Sequence, residues 1–127
     1  MMFRWAVFRS RWLAISWLVF ITFLFCFPGS ALPKKSWFSE IYFDKWAHAG
    51  VFAVLLFLFC SVFNGRPKRF RFWLFIVANL YGLAIELIQK FWIPYRDFDF
   101  LDLAADMAGA LIGIWFWWVV YKKNKPL

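Results

Sequence analysis

The chain has 127 residues, 65% of them hydrophobic, and a formal net charge of +8. Soluble domains hold roughly 45–50% apolar residues, so the composition excludes an ordinary water-soluble globule. The basic excess does not make a nucleic-acid binder, because its Lys and Arg flank apolar runs and leave no folded soluble surface to present a patch.

Four apolar runs occupy about 12–28, 46–63, 72–91 and 100–121, within one membrane domain covering 1–127. A spanning helix needs roughly 20 mostly apolar residues to cross about 30 Å of hydrocarbon. The runs therefore predict an all-α membrane protein, a four-transmembrane-helix bundle. The first run has a basic start and a small-residue stretch at Gly29-Ser30-Ala31, the outline of a signal peptide. It is read as an uncleaved first helix that ends at the breaker pair Pro28-Gly29. In the 29–44 segment, Trp37, Phe38, Ile41, Tyr42 and Phe43 suit the outer membrane interface.

The second helix carries Asp44 at its first turn, where an acid suits the positive end of the helix dipole. Asn64-Gly65-Arg66-Pro67 turns the chain into the third helix, and Trp92-Ile93-Pro94 ends that helix. The fourth starts near Asp99 or Phe100 and stops before Lys122. Cys26 and Cys60 fall at opposite membrane faces in this arrangement, too far apart for a disulfide.

Charge sets the orientation. With four spans, Arg4, Arg9, Arg11, Arg66, Lys68, Arg69, Arg71, Lys122, Lys123 and Lys125 all fall on one face. Positive loops favour the cytoplasmic side. Both termini and the 64–71 turn are therefore expected inside, in a multi-pass protein of the bacterial cytoplasmic (inner) membrane. The basic turn would meet anionic membrane lipids. All seven acids lie toward the other face: Glu40, Asp44, Glu86, Asp97, Asp99, Asp102 and Asp106.

Helical spacing sorts these acids. Asp44 and His48 share a face, with Lys45 beside them. Asn79, Gly82, Glu86 and Lys90 fall within roughly 80° of one another, with Gln89 at the edge. Asp102, Asp106, Gly109 and Gly113 fall within about 60°. Small residues on one stripe let helices approach closely, so this stripe should face the interior and carry the acids with it. A charged Asp at a helix centre costs roughly 2.5–3.5 kcal/mol. Asp97 and Asp99 read as loop or cap residues, Lys90 as a snorkelling anchor, and Asn79 as an interhelical hydrogen-bonding residue. Glu86 and Asp106 have no capping role. The cluster holds more acids than cations, which leaves three explanations: protonated carboxylates, a metal ion or a cationic ligand. The spacing along the chain defines no metal-ligand set, so no metal or cofactor is assigned.

Three segments resemble the VanZ-like family of small bacterial membrane proteins. They are Asp44-Lys45-Trp46-Ala47-His48, the run Tyr81–Gln89 with its E-x-x-Q ending followed by Pro94 and Arg96, and Asp102-Leu103-Ala104-Ala105-Asp106-Met107-Ala108-Gly109. The chain departs from the pattern at Ile85 and Ile88, where a second polar residue often accompanies the glutamate. The resemblance implies a cell-envelope role. The family's founding member is linked to resistance to the glycopeptide antibiotic teicoplanin.

The resulting expectation is a ligand site at the outer leaflet, built from Asp44, Lys45, His48, Glu86, Gln89, Arg96, Asp102 and Asp106. Arg96 can fork onto a phosphate and Lys45 can supply a point charge. The ligand would be a lipid-linked envelope precursor, a lipid headgroup or a glycopeptide-related molecule. The alternatives are a lipid-phosphate hydrolase or transferase, with His48, Glu86 and Asp106 as catalytic candidates, and a structural subunit of a larger membrane complex. A proton-relaying transporter ranks last, since four helices are few for one.

Overall fold

The computed structural model describes residues 6–26, 43–92 and 100–123, and every regular element among them is helical. A 3-10 turn, Ala6–Arg9, leads to α1 (Arg11–Phe25). The chain continues with α2 (Phe43–Val62), α3 (Lys68–Trp92) and α4 (Phe100–Trp117), and α4 loosens into a π-helical stretch, Trp118–Lys123.

The second, third and fourth apolar runs give helices long and apolar enough to cross a membrane: Lys45–Val62, Lys68–Trp92 and Phe100–Tyr121. The first run falls short of expectation, because α1 has 15 residues and reaches only about 22 Å at 1.5 Å per residue. Residues 27 and 28, the rest of that run, lie outside the described residues. The Ser10 side chain caps the start of α1 by accepting from the Leu13 amide at 3.4 Å. The third helix begins earlier than the apolar run implied. Its first turn is Lys68-Arg69-Phe70-Arg71, where backbone hydrogen bonding continues past the edge of the apolar stretch.

The surface is inverted relative to a soluble protein. Leu80 is 59% exposed and Leu111 57%, whereas Glu86 is 0% and Asp106 1% exposed. Apolar side chains face outward and ionisable ones inward, the distribution hydrocarbon surroundings demand.

The most extensive interhelical contact joins α2 and α4. Gly109 and Gly113 are buried on α4, against the backbones of Ala49 and Ala53 on α2, where a side chain would collide with the two carbonyls. The small-residue stripe therefore faces the interior, as its spacing predicts. Phe52, Ile21, Leu56, Ile85 and Ala110 form the apolar centre. A second cluster around Ala14, Phe57, Leu58, Cys60 and Trp117 fills the end bearing the α2–α3 turn, where the Arg71 guanidinium lies 4.4 Å above the Trp117 ring.

Polar contacts tie α1 to its neighbours. The Trp17 indole donates to the Val51 carbonyl at 3.1 Å. The Thr22 hydroxyl donates to the Leu18 carbonyl at 2.8 Å, so the Tyr81 hydroxyl must be the donor in the bond between Tyr81 and Thr22. Asn79 differs from the expected interhelical role. Its amide donates to the Phe75 carbonyl one turn back on its own helix, at 2.7 Å, a bond any helix can satisfy locally.

Candidate functional site

Helix direction brings the polar positions together. The start of α2, the end of α3 and the start of α4 meet at one end of the bundle. His48, Glu86 and Asp106 each sit five or six residues inside their helix ends, roughly 8–9 Å along the axis. None can be a cap at that depth, and all three are buried.

His48 is the hub. Its Nδ1 donates to Asp106 Oδ1 at 2.7 Å, which fixes the tautomer with Nε2 turned away from Asp106. Nε2 stands 3.6 Å from Asp102 Oδ2. The Phe25 ring stacks on the imidazole, with centroids 4.7 Å apart and planes 19° off parallel. A ring held by a carboxylate at its edge and an aromatic on its face has one orientation available. Asp102 faces two cationic or donor groups, because its Oδ1 lies 2.9 Å from Lys45 Nζ while Oδ2 faces His48.

The backbone is shaped to admit these groups. A Cβ at Gly82 of α3 would stand 2.6 Å from Asp106 Oδ2 and 3.3 Å from the Phe52 ring. The missing side chain is therefore the space that the Asp106 carboxylate occupies. Gly109 lets α4 approach α2 closely enough for Asp106 to reach His48.

The fold thus gathers Lys45, His48, Glu86, Asp102 and Asp106 from the expected set. Gln89 is buried and turns to structural use, since its amide donates to the Phe25 carbonyl at 2.8 Å and anchors the end of α1. Asp44 lies in the first turn of α2, and its side chain is outside the described ones. Arg96 is likewise outside the described residues, as are Asp97, Asp99 and the 29–42 segment.

Phe25 was not identified from sequence. It sits in an unbroken apolar run, and nothing in its neighbours separates it from Phe23 or Phe27. Nor does spacing along the chain announce that His48, Glu86 and Asp102, from three different helices, bring potential metal-ligand atoms within 4.8 Å of one another. Chemically, the arrangement can hold a donor or cation among carboxylates, orient an imidazole for proton transfer, or ligate an ion.

The chain matches a family model described as VanZ/LLP1 over residues 1–121, a span that includes every residue gathered at the site. No curated protein and no solved structure matches it.

Proposed function

Because the chain belongs to the VanZ/LLP1 family, we propose that it is a cell-envelope protein that binds the polar headgroup of a membrane-embedded molecule. The ligand class is a lipid-linked envelope precursor, a phospholipid headgroup or a glycopeptide-related molecule that lies at the same depth. The observation that carries this reading is the ion pair of Lys45 and Asp102 beside the bonded His48 and Asp106, gathered near one end of a bundle with an apolar exterior. Buried charges within a membrane are expensive and mark ligand or ion sites.

In this reading α1 is the fourth helix of a four-helix membrane bundle. Both termini face the cytoplasm of a bacterial inner membrane, and the site opens to the outer leaflet. Lys45 meets a headgroup phosphate, and the carboxylates accept from hydroxyls or amines. Arg96, close in sequence to the end of α3, is a second phosphate ligand.

Native mass spectrometry of the detergent-purified protein with undecaprenyl phosphate or phosphatidylethanolamine tests the proposal. Retention of either lipid by the wild type, and its loss in Lys45→Met, is the expected result. Equal retention by both proteins would refute this site.

The His48–Asp106 bond favours one second reading, hydrolysis or transfer at a lipid phosphate. An imidazole oriented by a carboxylate is equipped as a general base. Release of phosphate from undecaprenyl diphosphate by the purified protein, abolished in His48→Ala, would select it.

A further inference from the structure

We propose that His48 Nε2, Glu86 and Asp102 form a binding site for a divalent transition-metal ion of the Zn2+ or Mn2+ type, with Asp106 holding the imidazole from behind. Three independent features converge on it.

The first is the donor set. One imidazole nitrogen and two carboxylates, from α2, α3 and α4, lie within 4.8 Å of one another, and all three residues are buried. Ligand atoms about 2.1 Å from a tetrahedral ion are about 3.4 Å apart, so an ion needs to draw them together by about 1.4 Å or less. Imidazole with carboxylate suits Zn2+ or Mn2+ better than Ca2+ or Mg2+, which prefer oxygen alone.

The second is the state of the histidine. Metal-bound histidines commonly donate their other ring nitrogen to a carboxylate, and that partner sets the tautomer and raises the basicity of the ligating nitrogen. Asp106 does this at Nδ1. His48 is 7% exposed, and its Nε2 aims into the cluster without a hydrogen bond among the described residues. At 3.6 Å from Asp102 Oδ2, a bare Nε2 lone pair would meet the negative charge of a carboxylate. A positive charge between the two atoms relieves that repulsion.

The third is the division of labour on Asp102. Lys45 takes Oδ1 at 2.9 Å, which leaves Oδ2 toward His48. Ligating carboxylates are themselves held by such outer contacts.

The ion would stand beside Lys45 and offer open coordination positions to an oxygen ligand such as a phosphate. The metal site itself does not depend on which headgroup, if any, the protein binds.

His48 is the only histidine in the chain, so one imidazole reports on the site. The experiment uses tag-free, full-length protein labelled with 15N-histidine in phosphatidylcholine nanodiscs, stripped with chelator and titrated with Zn2+ alone. A shift of the Nε2 resonance that saturates at one ion per chain, with Nδ1 still protonated, is expected. Asp106→Asn should weaken Zn2+ binding about 10–100-fold. Glu86→Gln should weaken it as well, and Leu111→Ala, on the exposed face of α4 away from the site, should retain it.

An Nε2 resonance that titrates with pH but ignores excess Zn2+ would overturn the proposal, since a proton then fills the role. Unchanged Zn2+ affinity in both Glu86→Gln and Asp102→Asn would overturn it too. Because Zn2+ is the only species titrated and the phosphatidylcholine is held constant, failure here leaves retention of undecaprenyl phosphate or phosphatidylethanolamine to be judged on its own assay.

Discussion

Asp106 holds its position through two neighbours, the His48 imidazole at 2.7 Å and the bare backbone of Gly82, where a Cβ would lie 2.6 Å from Oδ2. Gly82→Ala must therefore push the carboxylate aside and lengthen its bond to His48. Hydrogen bonds between membrane helices are worth about 0.6–2 kcal/mol, and the variant should lose stability on that order. The His48 15N spectrum should change with it. Gly50→Ala is the control, because nothing lies within 4 Å of a Cβ there. An unchanged His48 spectrum in Gly82→Ala would refute the coupling. At this scale the sequence was informative about faces and silent about pairs. Helical angles put Glu86, Asp102 and Asp106 inward. They did not reveal that Asp106 bonds to the His48 imidazole, that Gln89 anchors the Phe25 carbonyl, or that Phe25 stacks on the imidazole. Those pairings depend on the rotation and depth of one helix against another, which a single helix does not encode.

Close approach of α2 and α4 is the geometric condition for the site. Gly109 and Gly113 sit four residues apart on α4, against Ala49 and Ala53 of α2, which are also four apart. A Leu at position 109 has nowhere to go except between the two backbones. Gly109→Leu should force α4 away from α2 at a cost of about 1–3 kcal/mol and break the His48–Asp106 bond along with it. Leu111→Ala, on the exposed face of α4, should leave both untouched. Thermal unfolding in detergent, read beside the His48 spectrum, separates the two variants, and equal behaviour would refute this account of the packing. Most helices were legible from apolar runs bounded by turn residues. The exceptions have physical causes. Charged residues beyond the hydrocarbon edge still accept helical hydrogen bonds, so α3 starts at Lys68. Asn79 satisfies its own helix instead of a neighbour because the Phe75 carbonyl is within reach.

The whole molecule is organised by polarity from end to end, with Arg71 over Trp117 at one end and Lys45, His48, Glu86, Asp102 and Asp106 near the other. The proposed orientation, which follows the positive-inside tendency, puts the first end in the cytoplasm. Single cysteines placed in the 29–44 segment should therefore react with a membrane-impermeant thiol reagent from outside intact cells. Reaction only after permeabilisation would reverse the orientation and move the site to the inner leaflet. The central claim is that the buried charges serve a ligand and not the fold. A buried ion pair replaced by apolar side chains of similar size often leaves a protein as stable as before, or more stable by about 1–4 kcal/mol. In a bundle with a lipid-facing exterior, apolar replacement should be easier still. The most direct measurement takes the double variant Lys45→Leu/Asp102→Leu and follows its unfolding temperature and its lipid retention in the same preparation. An equal or higher unfolding temperature with headgroup retention lost is the predicted result. A lower unfolding temperature with retention intact would contradict it and make the cluster a structural device.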